Sequence, residues 1–393
     1  ESVHLFFPWS SLEPDAGKFD SLVLNALDIT NIFYPAYNVK VELQIAPINT
    51  TAKETPKDLI SIDFDDPKMI ARFKAAMDTL FAHIPNVTLT ALNIGNESDI
   101  YMGANKAAYT RYKVFLDSVK PYVEKLYDQL HKDDLKVGST FTFDGLTSAA
   151  TSASCKLVNQ SLDVVSVTYY PLNSNFTMES PSVVKDDFKD LVATYSDTSQ
   201  PIYFVECGYA SSSKCNSSEE QQADFFRNVF SAWDSFYNHI KYLTIFKSTD
   251  WSQQEVDTLG EYYGITDTVF LEYLRTLGVR TWDGNGMNKK AYATILCELK
   301  SRGWCAVKCN TSGISSIIIQ EPALVVYPNP SFDVWTIDAG DLYREANLYD
   351  HRGVRILHTN EKVIDGSYLQ SGVYYLWISL NSGEVFRKKV IKL

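Results

Sequence analysis

Short apolar runs alternate with longer amphipathic segments over the first 308 residues of the chain. The runs have the length of β-strands and lie at residues 2–7, 39–47, 87–95, 136–143, 163–170, 201–208 and 241–247. Segments with apolar residues at helical spacing lie between them, at residues 68–84, 109–130 and 219–240 among others. This alternation predicts right-handed βαβ units around a parallel sheet. Several runs are apolar on both faces, as a sheet covered by helices requires.

The spacing of these strands favours a (β/α)8 TIM barrel, which averages ~31 residues per βα unit. Seven strands are visible and the first begins at residue 2, so we expect the remaining strand to precede Glu1. The alternative is an open doubly wound sheet, but the sequence has no glycine-rich phosphate loop to support it.

The pattern changes after about residue 313. Short alternating strands separated by turns appear at residues 323–338, 345–359 and 372–393. Alternation with a period of two predicts a small antiparallel β-sandwich. We therefore divide the chain into a catalytic barrel at residues 1–308, a polar linker at 309–320 and a C-terminal sandwich at 321–393.

Composition excludes several classes of partner. The formal charge of −12 and a pI near 5.0 argue against nucleic acid, which needs a basic face. No apolar run reaches the ~20 residues of a membrane span. The six cysteines leave Cys207–Cys215 and Cys305–Cys309 as short-range disulfide options, and none has metal-ligand spacing, so we expect no metal. We expect a monomer with a neutral or weakly charged substrate.

Two glutamates end apolar runs of the predicted barrel. Glu97 closes the third visible strand in 94-IGNESDIYMG-103, and Glu206 closes the sixth in 201-PIYFVECG-208. If one strand precedes the chain, these are the fourth and seventh strands, which face each other across the mouth where barrel chemistry takes place. A carboxylic acid and a carboxylate converging there are what glycosidic bond cleavage needs. The alternative is that both are solvated loop acids.

These residues resemble the retaining glycoside hydrolases of clan A. The resemblance implies that Glu97 is the acid/base, that Asn96 binds the sugar 2-hydroxyl and that Glu206 is the nucleophile. The segments 8-PWSSLEPDAGKFD-20 and 278-GVRTWDGNGMNKKAYATI-295 also resemble clan members, after their second and eighth strands. Motifs around both glutamates look nearest to the endo-β-1,4-galactanases. The chain departs from the clan in having no arginine near the end of its first visible strand.

Further site residues follow from the same resemblance. A tyrosine at the end of the sixth clan strand bonds the nucleophile, which implies Tyr170 or, as second choice, Tyr169. Only one of them can point into the barrel, because side chains alternate along a strand. Trp251 and Trp9 are candidates for an aromatic platform beneath the sugar. Cys207 should point away from the site, towards the helices.

The C-terminal module resembles the type IX secretion sorting domain of Bacteroidetes. The resemblance rests on 327-YPNPSFDVWTI-337, 348-LYDHRGVRIL-357, 372-GVYYLWI-378 and the basic end of the chain. It implies the type IX secretion machinery as a partner and a secreted or cell-surface location. A small carbohydrate-binding sandwich is the alternative.

The sequence thus predicts a secreted, retaining, endo-acting glycosidase that degrades a β-linked polysaccharide and needs no cofactor. Two other functions stay open. One is a non-catalytic glycan-binding protein on a barrel scaffold, and the other is a transglycosylase that uses the same residues.

Overall fold

A computed structural model describes residues 1–282, 286–304, 324–339, 342–350, 354–381 and 385–392. The chain divides into two compact units, Glu1–Thr311 and Ser312–Leu393, which are described separately below. The predicted linker at 309–320 lies outside the described residues.

The first unit contains the seven predicted strands, and all seven are confirmed with ends shifted by a few residues. They are β1 Ser2–Pro8, β2 Lys40–Asn49, β3 Leu89–Asn96, β4 in two segments at Val137–Gly138 and Thr140–Thr142, β5 Val165–Tyr169, β6 Ile202–Cys207 and β7 Ile240–Ile245. Neighbouring strands pair in parallel from β1 to the first segment of β4, and from its second segment to β7. Among the described residues, β1 and β7 are edge strands that each pair with one strand.

Helices follow the strands, as the sequence predicts. In chain order, those of the described residues are α1 Trp9–Leu12, α2 Ser21–Ala36, α3 Pro67–His83, α4 Ser98–Met102, α5 Lys106–Asp128, α6 Phe143–Thr147, α7 Ser152–Asn159, α8 Val184–Thr194, α9 Glu219–Ser235, α10 Gln253–Tyr263, α11 Thr268–Arg275 and α12 Lys290–Ser301. Local chemistry sets several of their starts. The Asp66 side chain caps α3 through the Lys68 amide, and Ser252 forms a capping box with Glu255 at α10.

Buried polar side chains cross the interior of the barrel. Glu42 on β2 accepts a hydrogen bond from Asn93 on β3, and Asn93 accepts one from Ser166 on β5. The last bond passes over β4 at Gly138, where an added Cβ would lie 2.2 Å from Asn93 Oδ1. Every member of this chain is 0% exposed. The interior therefore holds a connected layer of hydrogen-bonded polar side chains in place of a purely apolar filling.

The second unit contains two antiparallel sheets. One has the strands β8 Val325–Tyr327, β9 Val334–Asp338 and β12 Val363–Asp365, and the other has β10 Tyr343–Tyr349, β11 Arg355–Thr359, β13 Gly372–Leu380 and β14 Val385–Lys392. Inward-facing side chains such as Trp335, Leu348 and Ile378 form its separate core. Alternation within these strands confirms the predicted sandwich, although the short β12 has no clear signal in the sequence.

Across the described residues, none of the helices combines the length and the apolar character needed to cross a lipid bilayer.

Candidate active site

Asn96 and Glu97 lie where β3 ends, at the carboxyl edge of the sheet. Gly95 precedes them with a φ of +88°, and an added Cβ there would lie 2.3 Å from the Tyr112 hydroxyl oxygen. Asn96 is held from two sides, because its Oδ1 accepts from Gln44 at 3.0 Å and its Nδ2 donates to Asn49 Oδ1 at 3.0 Å. The backbone and its neighbours thus fix the direction in which Glu97 leaves the strand.

Two threonine hydroxyls bind the Glu97 carboxylate. Thr50, just after β2, donates to Oε2 at 2.8 Å, and Thr168 on β5 donates to Oε1 at 2.8 Å. Glu97 and Thr50 both have positive φ, at +45° and +50°. A β-branched residue rarely adopts that conformation, and such strain concentrates at functional sites. The sequence analysis missed both threonines, and neither has a local pattern that would reveal it.

Glu206 stands on β6 beside Tyr170, the residue that follows β5. The Tyr170 hydroxyl donates to Glu206 Oε2 at 2.5 Å. Thr168 and Tyr170 are two residues apart and so share one face of the chain. A single stretch of backbone therefore presents one partner to each glutamate and brings the two carboxylates together.

Tyr169 points to the opposite face and does not reach the site. Its ring is buried against Phe188 and Phe204, and its hydroxyl donates to Asp187 Oδ2 at 2.5 Å. Tyr169, the second choice for a hydrogen bond to Glu206, is therefore wrong. The physical reason is the alternation of side chains along β5.

The surroundings of the two carboxyls differ in charge. Burial raises the pKa of Glu97 above its usual range, and hydrogen bonds from Thr50 and Thr168 oppose that rise. Burial and the charge of Glu97 raise the pKa of Glu206 to about 7, while the charge of His4 and the hydrogen bond from Tyr170 act to lower it. Glu206 thus interacts with the charge of His4, whereas the hydrogen-bond partners of Glu97 are two neutral hydroxyls. This asymmetry favours Glu206 as the carboxylate and Glu97 as the proton carrier.

A pair of helices covers the mouth beside the glutamates. The Tyr262 hydroxyl, at the end of α10, donates to Glu54 Oε1 at 2.8 Å, in the segment after β2, and accepts from Asn49 Nδ2, at the end of β2, at 3.0 Å. Tyr273 of α11 packs edge-on against Tyr170, with ring centroids 5.9 Å apart. Burial and the charges of Glu97 and Glu206 raise the pKa values of Tyr263 and Tyr273. We call residues 253–275 the strap.

Trp9 does not reach the site, contrary to the sequence prediction. Its side chain is 0% exposed, its ring packs edge-on against Phe73 at 5.0 Å, and Nε1 donates to Glu13. The helix α1 begins at Trp9 and turns its indole into the core. A tryptophan beside the predicted mouth is therefore a structural residue here.

Trp251 lies after β7 and is half-buried. The Lys247 ammonium is 2.7 Å from the centroid of its ring and occupies one indole face. Phe246, which directly follows β7, contacts Tyr170 edge-on with centroids 5.9 Å apart. Within this loop, Phe246 therefore contacts Tyr170, the hydrogen-bond partner of Glu206. Sequence reasoning chose the larger indole over the ring closer to the strand end.

The cysteines stand apart from the carboxylates. Cys155, Cys207 and Cys215 are buried free thiols, so the proposed Cys207–Cys215 disulfide is wrong. Cys297 is disulfide-bonded, and the Cys305–Cys309 option lies outside the described residues. No group of three or more His, Cys, Asp or Glu side chains in the described ranges could hold a metal ion.

Solved structures of glycosidases share the fold of the first unit. The exo-β-1,4-mannosidase of Opitutaceae bacterium strain TAV5 aligns at 14% identity with a TM-score of 0.56, over 78% of this chain and 54% of that chain. A GH5_18 protein from Streptomyces cattleya in complex with Manβ1-4GlcNAc aligns at 14% identity and 0.57, over 78% and 72%. The β-glucosidase 1317 aligns at 12% identity and 0.54, over 77% and 84%. At such identities the likeness establishes the (β/α)8 fold.

This chain spans about half the length of that exo-β-1,4-mannosidase, 54% of it. A comparison with curated protein sequences found no match. The family model described as the secretion system C-terminal sorting domain matches residues 325–392. The second unit is a sorting domain of the type IX secretion system. It directs export of the protein to the cell surface or beyond, which confirms the location predicted from the sequence.

Tyr170→Phe tests the contact to Glu206. Removing a hydrogen bond to a charged group costs about 1.5–3 kcal/mol, so we expect kcat/KM to fall roughly 10- to 100-fold. The acid limb of the kcat/KM–pH profile of this variant should move to higher pH, because Glu206 loses a hydrogen-bond donor that stabilises its carboxylate form. Tyr169→Phe, which removes the hydroxyl on the opposite face, is the matched control and should leave the limb in place. Equal shifts in both variants would contradict the assigned contact.

Proposed function

We propose that the protein is a secreted retaining glycoside hydrolase that cleaves a β-linked polysaccharide or oligosaccharide by a two-glutamate double displacement. The observation that carries this proposal is the pair of carboxyls at the ends of β3 and β6. Thr168 donates a hydrogen bond to Glu97, and Tyr170, on the same face of the chain, donates one to Glu206. Their contrasting electrostatic surroundings support separate roles for the two groups.

The first displacement forms a bond between a Glu206 oxygen and the anomeric carbon. The bond from that carbon to the leaving oxygen breaks as Glu97 transfers its proton to the leaving oxygen. Glu97, now ionised, then takes a proton from water, and the resulting hydroxide oxygen attacks the anomeric carbon and displaces Glu206. Two inversions give net retention. Asn96, beside Glu97, is our candidate for the contact to the sugar 2-hydroxyl, with Phe246 and Trp251 as aromatic contacts.

Sequence motifs near the glutamates favour a galactan-like substrate and endo action. The structural neighbours instead include an exo-β-1,4-mannosidase, a GH5_18 protein bound to Manβ1-4GlcNAc and a β-glucosidase. The strap favours a second candidate, the removal of sugars from chain ends, because its Tyr262 contacts bridge part of the mouth. A long internal segment of polysaccharide needs an open cleft, whereas a chain end does not.

The decisive experiment is hydrolysis of a panel of β-glycans by the full chain and by Glu206→Ala. The panel contains galactan, mannan, xylan, mixed-linkage glucan, β-1,3-glucan and short oligosaccharides. We expect one class to be cleaved by the wild type alone, with the β-anomer formed first when the products are followed by NMR. Viscosity that falls faster than reducing ends appear would indicate endo action, and the reverse would indicate chain-end action.

Two outcomes of this panel would overturn the proposal. Binding of a glycan without turnover, unchanged in Glu206→Ala, would indicate a glycan-binding protein on a barrel scaffold. Products longer than the supplied oligosaccharide would instead identify a transglycosylase.

A further inference from the structure

A histidine lies in the barrel interior below the candidate nucleophile. His4 is on β1, directly opposite Glu42 on β2 in the parallel register. Its Nδ1 forms a hydrogen bond with Glu42 Oε2, and its side chain is 11% exposed. The two displacement steps proposed above do not use this residue.

Glu42 is fixed in place by its other contacts. Its side chain is 0% exposed, and its second oxygen, Oε1, accepts a hydrogen bond from Asn93 Nδ2 at 2.5 Å. Asn93 in turn accepts from Ser166 at 2.6 Å. A carboxylate whose two oxygens both accept hydrogen bonds is well placed to hold an imidazolium. The chain from β5 to β1 therefore orients His4 and favours its protonated form.

The charge of His4 acts to lower the pKa of Glu206, and the charge of Glu42 acts in the opposite direction. Burial works to lower the pKa of His4, but the charge of Glu42, its hydrogen bond and the charge of Glu206 together raise it above the usual value. The titratable groups around this pair are Glu42 on β2, Tyr242 on β7, Glu97 and Tyr170 beside Glu206, and Tyr263 and Tyr273 of the strap. Among these groups in the described residues, His4 is the cation.

We propose that His4 is a positioning residue of the candidate hydrolase: held by Glu42, its imidazolium keeps Glu206 ionised for attack on the anomeric carbon. This inference rests on the proposed function and deepens it. It also implies a titratable source for the stabilising charge, because a histidine loses its proton at a pH where an arginine would keep it. The pH range of Glu206 activity is therefore set partly by a second group.

The test uses dinitrophenyl β-glycosides of the sugar that the panel identifies. Their leaving group departs without protonation, so formation of the glycosyl-enzyme depends on the ionisation of Glu206 and not on the proton of Glu97. The acid limb of kcat/KM then reports Glu206. An opposite charge at close range shifts a carboxyl pKa by ~1 unit or more. We expect His4→Gln to move this limb upward by about that amount and His4→Arg to return it to the wild-type position or lower.

His83→Gln is the matched control, because His83 Nδ1 also pairs with a carboxylate, Asp28, but on the surface. It should leave the limb unchanged. A lower rate in His4→Gln with an unmoved limb, or an upward shift in His4→Arg as well, would reduce His4 to a packing residue and overturn the proposal.

A second readout does not depend on activity. Histidine ring signals followed by NMR, with that of His4 assigned from the His4→Gln spectrum, give its pKa directly. By reciprocity of the interaction, Glu206→Gln should lower the pKa of His4. An unchanged His4 titration would overturn the proposal even if no glycoside is hydrolysed. If the titration shifts but no substrate is cleaved, the electrostatic pair stands and the proposed function fails.

Discussion

Glu206→Gln should abolish glycoside hydrolysis, with a loss of at least ~10³-fold in kcat/KM, the scale seen when a catalytic group is removed. The amide keeps the shape of the side chain and its place beside Tyr170 but cannot form the glycosyl ester at a useful rate. The measurement is the initial rate on the panel substrate over a range of pH. No pH should restore activity, because the missing group is the nucleophile and not a titrating partner.

Stability separates this loss from misfolding. Burial raises the pKa of Glu206 to about 7, above its unfolded value. An acid with a raised folded pKa costs stability as pH rises through that range. Glu206→Gln should therefore melt at the same temperature as wild type or higher at pH 8. Glu298→Gln, which removes a charge on α12 paired with Arg302, is the control and should retain full activity. A Glu206→Gln protein with near wild-type rates would end the two-glutamate proposal.

Glu97→Ala should show a loss that depends on the leaving group. Substrates with a sugar leaving group need a proton, so we expect their hydrolysis to fall by ~10³-fold or more. Dinitrophenyl glycosides should still form the glycosyl-enzyme, which then accumulates because no base activates water. A burst of dinitrophenolate followed by slow turnover is the expected signal. Added azide, a nucleophile that needs no base, should accelerate turnover and give the β-glycosyl azide.

The second Asn-Glu pair of the chain supplies the control for this variant. Glu361 follows Asn360 in the sorting domain and is exposed, so Glu361→Ala should leave both substrate classes unaffected. Equal losses on activated and natural substrates in Glu97→Ala, without azide rescue, would remove Glu97 from the acid/base role. The roles would instead be exchanged if Glu206→Ala gave the burst and the β-glycosyl azide while Glu97→Ala gave the α-glycosyl azide, because azide enters from the α face only when the nucleophile is missing.

Site residues whose positions follow from the pattern of a single strand could be predicted from the sequence. The strand ends placed Asn96, Glu97 and Glu206 at the carboxyl edge of the sheet, and alternation along β5 separated Tyr170 from Tyr169. The aromatic contacts were harder to predict. Trp9 is a core residue, because the direction of α1 decides where its indole lies. Residue type alone could not distinguish Phe246 from Trp251.

Four features could be predicted from the order of residues alone: the seven strands, the helices between them, the change to a β-sandwich and the sorting domain. Each of these depends on periodicity or motifs within a few tens of residues, where hydrophobic spacing acts directly on local structure. The contacts around the two carboxyls depend on the tertiary structure. Thr50 reaches Glu97 and Tyr262 reaches Glu54 across separations of 47 and 208 residues. No local pattern records such pairs, because they exist only once the strands assemble around one interior.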